Sequence, residues 1–500
     1  MSNRISQEEL EELMSSLGFK PNHLDWYREQ INSGMASLEL LDQIPLPGSG
    51  EPSNRVWAVP EKSDNPYNAW AVKTDIPGAE SGRLKGKTVA IKDNVMVNGL
   101  PLNNGTRVLD GFIADEDAEI VTRLLNAGAT ILGKTVCEAY CFSGGSHTSD
   151  SGPVRNPRAI SKSAGGSSSG SAVVVATEEV DMAIGCDQGG SIRMPSSFTG
   201  IVGMKPTHGL VPYTGILGMT PLIDHTGPMT RTVKDNALML EVLAGPDGVD
   251  FRQKPHEQES YSETLGRESL KGISIGVVSE GFDTPFSEEE VGKTVDSAID
   301  QLRGLGATIV RLSIPLHSTA GLITFGGLQA SFASMFELDG CAVEAMDSVS
   351  PAYLDAQRKW RDNPDWLTPN VKSYMLQSEW MRRHHGYRYV SESKKRIPML
   401  KEAYDKALRE VDVLVMPTTP MKATSLPDSD ASPEEITSLS FQPTTNTSPF
   451  NSTHHPALSI PCGMVDGLPI GMMLIGKHFD ESTLYQIGDL FERRFNWQDQ

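Results

Sequence analysis

Apolar residues fall at Leu10, Leu13, Met14 and Leu17, the i, i+3, i+4, i+7 spacing of one helix face, and Gly18 closes the run. Ser6 followed by Glu9 places a capping box ahead of it. The spacing predicts an amphipathic helix over 6–17, with helical pattern continuing to about residue 42. Pro45, Pro47, Gly48, Gly50, Pro52, Pro60 and Pro66 then exclude regular structure. Residues 1–70 therefore read as a helical N-terminal extension with an extended tether.

Beyond residue 84 the period changes. Thr88 to Ile91 reads as a strand, Asp117 to Ala127 as a helix ended by Gly128, and Thr130 to Leu132 as a second strand. The unit recurs: a strand from Ile273 to Val278, a helix face of Val291, Val295, Ala298, Ile299 and Leu302 ended by Gly306, and a strand from Thr308 to Leu312. Asp412 to Met416, Ala457 to Pro461 and Pro469 to Ile475 resume the strand pattern, the last two joined by an Asp466-Gly467 turn suited to a hairpin. This alternation predicts an α/β fold whose mixed, largely parallel central sheet is covered by helices on both faces. Residues 320–400 interrupt the rhythm with helix formers, Met and three tryptophans, Trp360, Trp366 and Trp380. The organisation expected is an α/β core over 71–320, a mostly helical inserted cap over 321–400, and the rest of the core over 401–500.

Charge and composition narrow the partners. Sixty-four acidic against 44 basic residues give a formal charge of -20, which argues against nucleic acid or an anionic membrane as the main partner. No apolar run approaches the roughly 18 residues of a membrane span, and the N-terminus lacks an apolar signal core. Five scattered cysteines, Cys137, Cys141, Cys186, Cys341 and Cys462, suit reduced thiols more than a disulfide framework. A cytoplasmic enzyme acting on small molecules is the expectation.

The stretch from Ser163 to Ala172, SAGGSSSGSA, has a linker's composition but runs straight into apolar AVVVAT and a strand expected at DMAIG. Directly after that strand comes CDQGGSIRMPSS, residues 186–197. Two glycine-serine loops thus sit together at strand ends, and a Gly-Gly pair before a serine leaves backbone N–H groups open to an oxyanion. No histidine stands near Ser191 before His208, whereas Lys92 ends the strand in AIKDN. A lysine desolvated at a strand mouth can sit neutral and accept a proton.

Taken together, AIKDN, AGGSSSGSA and CDQGGSIRMPSSFTGIVGMKPTHG resemble the amidase signature family, over about residues 70–480. The resemblance implies that family's fold and a Ser-cisSer-Lys triad of Lys92, Ser167 and Ser191, with a cis peptide at Ser167. It implies an oxyanion hole from the backbone N–H groups of Gln188, Gly189, Gly190 and Ser191, and loop bracing by Asp187 and Arg193. Ser143, Gly144, Gly145 and Cys137 are candidate substrate contacts. The activity implied is hydrolysis of carboxylic amides through a Ser191 acyl-enzyme, with no metal or organic cofactor. CFSGGSHTSDSGPVRNP and GLVPYTGILGMTPLIDHTGPMTRT are similar to amidases of nitrile-degrading pathways, pointing to small aliphatic or aromatic amides and a homodimer, with the N-terminal helices as its interface. Two positions depart from the family: Cys186 where Thr is frequent, and His454 where glycine stands.

Other readings compete. Lys134, Cys137 and Glu138 form the residue set of nitrilase-type amidases. An ammonia-using amidotransferase subunit shares the triad, and a binding protein could occupy the same fold with His454 as a blocking change. The adjacent pairs His384-His385 and His454-His455 suggest metal ligands, but a pair alone lacks the third ligand that a site needs, so packed or solvated histidines are expected.

Overall fold

The computed structural model describes residues 4–44, 53–256, 259–339 and 350–499, apart from the side chains of residues 42 and 329–335. Cys341, part of the tether and part of the expected cap lie outside the described residues. The chain divides into two compact units, Met1–Glu51 and Pro52–Gln500.

In the first unit, helices Gln7–Ser16 and Leu24–Leu38 pack on one another. Ser6 Oγ accepts the Glu9 N–H at 3.2 Å while the Glu9 carboxylate accepts the Ser6 N–H at 2.8 Å, so the capping box is formed. Leu10 and Met14 are buried, but Leu13 and Leu17 are 44% and 59% exposed, as are Trp26, Leu38, Leu40 and Leu41 to a similar degree. The expected apolar face is thus only half covered.

The second unit is built on strands β1 (Trp57–Ala58), β2 (Trp70–Ile76), β3 (Thr88–Lys92), β4 (Thr130–Thr135), β5 (Arg155–Asn156), β6 (Ala159–Ser163), β7 (Met182–Asp187), β8 (Val202–Lys205), β9 (His225–Thr230), β10 (Ser274–Val278), β11 (Thr308–Leu312), β12 (Val413–Pro417), β13 (Ala457–Val465) and β14 (Leu468–Ile475). Twelve of them form one sheet in the order β1-β2-β4-β3-β7-β9-β8-β13-β14-β12-β10-β11; β5 and β6 pair separately. Helices flank this mixed sheet.

Parallel pairing is confined to β4-β3-β7 and to β11-β10-β12, the two regions where strand and helix alternate; the other pairings are antiparallel. The sheet is therefore not largely parallel. Tight or looping connections at β8–β9 and β13–β14 reverse the chain without a crossover helix, which a parallel neighbour requires. Between β11 and β12 the described chain is helical, in Ala320–Glu337, Pro351–Gln357, Pro369–His385 and Arg388–Glu410. The last of these runs past residue 400.

The largest apolar cluster lies along the sheet and includes Val89, Ile91, Met182, Ile184, Val413 and Leu474. What positions the site is the register of β3 against β7, with Val89 opposite Met182 and Ala90 opposite Ala183. Two adjacent parallel strands end on the same side, and ligands in open α/β sheets gather beyond such carboxyl ends.

Candidate active site

Lys92 is the last residue of β3 and is fully buried. Its Nζ lies 2.8 Å from Ser167 Oγ and 3.3 Å from the Cys186 carbonyl near the end of β7. Ser167 occupies the loop between β6 and helix Ser169–Ala176, and the Gly166-Ser167 peptide is cis. The glycines of this loop are required by space: Gly165 sits at φ +75°, and a Cβ there would meet Pro195 Cα at 2.7 Å. The loop that has a linker's composition is held, with Ser163, Ser167, Ser168 and Ser171 all buried and the Ser168 N–H donating to the Ser191 carbonyl at 3.2 Å.

Ser191 follows β7 and precedes helix Arg193–Thr199. Its loop is fixed by Asp187, whose carboxylate accepts from Gly190 N (2.7 Å), Ile192 N (3.1 Å), Asn451 Nδ2 (2.8 Å) and both Nε and Nη2 of Arg193 (3.0 Å each). Arg193, also fully buried, reaches on to the Thr447 carbonyl and Asn451 Oδ1. Burial alone would raise the Asp187 pKa, but Arg193 and Asn451 hold it well below the usual carboxylate range. Thr447 Oγ1 caps the Gly189 carbonyl at 2.7 Å, and a Cβ on Gly190 would strike that same hydroxyl.

Of the four amides expected at the oxyanion hole, that of Gly190 is engaged by Asp187. Those of Gln188, Gly189 and Ser191 have no protein acceptor among the described residues. Gln188 donates through Nε2 to Tyr213 Oη at 2.7 Å, leaving Oε1 buried and without a partner. Behind it Asp224 is pushed up to about 7 by burial.

A cleft with an empty volume of about 370 Å³ opens over Ser191, lined by Ser143, Gly144, Gln188 and Gly189 and by the apolar Phe142, Met194, Met219, Ile223, Phe325, Leu328 and Phe441. Ser143 and Gly144 thus reach the cleft, whereas Gly145 stands behind them and Cys137 lines a separate groove with Asn103, Gly105 and Val136. Phe325 and Leu328 come from the helical segment after β11, while Trp366 and Trp380 stay exposed. Neither departure from the family touches the cleft. Cys186 Sγ faces Asn94 Oδ1 and Thr226 Oγ1, and His454, at φ +71°, stacks on His208 and bonds the Leu222 carbonyl at 2.8 Å.

The nitrilase-type set does not converge. Lys134 pairs with buried Asp93 at 2.9 Å, Cys137 faces Asn104, and the Glu138 carboxylate accepts the N–H groups of His147 and Thr148.

Sequence reading missed Cys141, which lines the cleft, has its Sγ 3.4 Å from Asn104 Oδ1, and interacts electrostatically with Lys92. Burial pulls the Lys92 pKa down, but the thiols of Cys141, Cys186 and Cys137 outweigh it and the net shift is upward. Burial likewise raises Cys141, yet its bonds to Cys137, Lys92 and Ser167 and the lysine's charge bring it to about 6. The neighbouring cysteines thus oppose the desolvation that the sequence reading expected to neutralise Lys92. Since Lys92 accepts a proton only when neutral, Cys141→Ala is expected to move the acid limb of the kcat/KM profile to lower pH. An acid limb that stays put or moves up would contradict this placement.

Residues 59–485 match the family Amidase. An enantioselective amidase of Rhodococcus rhodochrous is 42% identical over 451 residues, covering 87% of this chain and 85% of the relative. A glutamyl-tRNA(Gln) amidotransferase subunit from Geobacillus thermodenitrificans is 34% identical over 459 residues, covering 90% and 92%. The solved peptide amidase of Stenotrophomonas maltophilia superposes with a TM-score of 0.67 at 27% identity, covering 83% of each chain.

Proposed function

The chain belongs to the amidase family and hydrolyses carboxamide C–N bonds, and from that premise we propose that Lys92, Ser167 and Ser191 carry out the reaction. The observation that carries this reading is Lys92 Nζ bonded to Ser167 Oγ at 2.8 Å beneath the cleft that Ser191 enters. Neutral Lys92 takes the Ser167 proton as Ser167 takes that of Ser191 Oγ, which attacks the carbonyl carbon. The N–H groups of Gln188, Gly189 and Ser191 hold the developing oxyanion, while Gly190 stays on Asp187. The proton returns through Ser167 to the leaving nitrogen, and ammonia or amine departs. Water then repeats the relay on the acyl-enzyme and frees the acid.

The apolar cleft lining favours small aliphatic or aromatic acyl groups. The amidotransferase alternative has less support, at 34% against 42% identity. The half-exposed apolar face of the N-terminal helices supports a homodimer built on them; a monomer mass in light scattering would remove that part. Among the described residues Cys137, Cys141, Cys186 and Cys462 are buried and free, which favours a reducing, cytoplasmic setting. No described helix is long and apolar enough to cross a membrane.

The test is a serine-directed fluorophosphonate with peptide mass spectrometry. An adduct on Ser191 that is lost when Lys92 is replaced is expected. Amide turnover that persists without labelling and depends on Cys137 would overturn the assignment.

A further inference from the structure

The adjacent histidines His454 and His455 part company. His454 stacks on His208, 4.0 Å between ring centroids, while His455 turns toward Asp405 and His478. One ligand atom from each of Asp405, His455 and His478 lies within 4.8 Å of the other two. They belong to separate segments: helix Arg388–Glu410, the approach to β13, and the turn after β14.

The hydrogen bonds around this cluster orient its ligand atoms. A carbonyl only accepts, so His478 Nε2, 3.0 Å from the Thr453 carbonyl, carries that ring's hydrogen. His478 Nδ1 is then a lone pair, and it faces Asp405 Oδ1 at 4.0 Å. Thr453 Oγ1 lies within hydrogen-bond distance of both the Pro449 carbonyl, at 3.1 Å, and His455 Nδ1, at 3.0 Å. His455 Nε2 lies 3.0 Å from the same carboxylate oxygen, which only accepts, so this nitrogen donates to it and an ion bound between them would displace that proton. The three ligand atoms stand close enough to share one ion, while the other oxygen of Asp405 is occupied by Lys401 at 2.5 Å.

We propose that Asp405, His455 and His478 bind a divalent transition-metal ion, Zn²⁺ foremost, at a site apart from the Ser191 cleft. Two imidazoles and a carboxylate suit Zn²⁺, and the partial exposure of Asp405 and His478 admits water as a fourth ligand. The bonds of both rings to Thr453 are the outer contacts that orient ligating histidines. The ion ties the long helix to both ends of the β13–β14 hairpin, so it acts on stability and leaves turnover unchanged.

The test uses the full chain, free of any purification tag, stripped by chelator and titrated with Zn²⁺ by calorimetry and with Co²⁺ by visible absorption. One Zn²⁺ per chain, a thermal midpoint that rises with Zn²⁺ and an unchanged amidase rate are expected. His478→Ala, at a partly exposed position, should abolish this binding, and Thr453→Val should weaken it by about 10-fold or more. Asp405→Asn serves if His478→Ala fails to fold. Absence of saturable binding, or equal stoichiometry and affinity in His478→Ala or Asp405→Asn, would overturn the site and assign any bound metal elsewhere, such as the cysteines.

Discussion

Ser191→Ala is expected to lower kcat for any amide substrate by about 10⁴-fold to 10⁶-fold, with Lys92→Met falling in the same range, because members of a nucleophile relay act as a unit. The double variant should then lose little more than either single one. Methionine keeps the volume that Lys92 fills in a fully buried position, so packing survives while the proton acceptor goes. Steady-state kinetics on both single variants and the double, beside unfolding midpoints for each, separate the two effects. Losses that multiply in the double variant would mean that lysine and serine work independently. A drop in Lys92→Met that followed its unfolding midpoint would reduce the lysine to a structural role.

Asp187→Ala is expected to cost about 3–5 kcal/mol of stability, the range for stranding one member of a buried ion pair. Arg193 is fully buried, and its remaining contacts are a carbonyl, an amide oxygen and a thioether, none of which carries compensating charge. The same change frees the N–H groups of Gly190 and Ile192 and so loosens the loop before and after Ser191. Activity should therefore fall together with the denaturation midpoint, as urea titration and kinetics would show. Because the Asp187 pKa is depressed on folding, the stability from this pair is complete above the usual carboxylate range near about 4 and is lost as pH falls below it. An Asp187→Ala protein as stable as the parent at neutral pH would show that the carboxylate does not clamp the loop.

Much of the framework follows from local signals. The Asp466-Gly467 turn chemistry places the β13–β14 hairpin, although β13 runs four residues past the expected Pro461 to Val465, and the helix that carries Val291, Val295 and Leu302 is found with those side chains buried. Lys92 and the two serine loops were legible because glycines, serines and a strand-end lysine stand together in short motifs. The order of strands was not, since periodicity says which residues alternate and nothing about the antiparallel β9 lying between β7 and β8. Cys141 was missed for a related reason. It reaches Lys92 through consecutive left-handed residues, Tyr140 at φ 54° and Cys141 at φ 57°, and no spacing rule announces such a turn. Thr447 and Asn451 brace a loop more than 250 residues earlier, a distance at which one sequence carries no pairing signal. The partners of His455 were hidden likewise, since Asp405 and His478 approach it only when helix and hairpin dock.

That long reach sets an order of events during synthesis. The ribosome delivers Lys92, Ser167 and Ser191 early, but the Arg193 side chain finds Thr447 and Asn451 only after a further 254 and 258 residues have been made. Loops of that span close late. A nascent chain that already contains all three proposed reacting groups therefore lacks the brace on the Ser191 loop until Thr447 and Asn451 have been made.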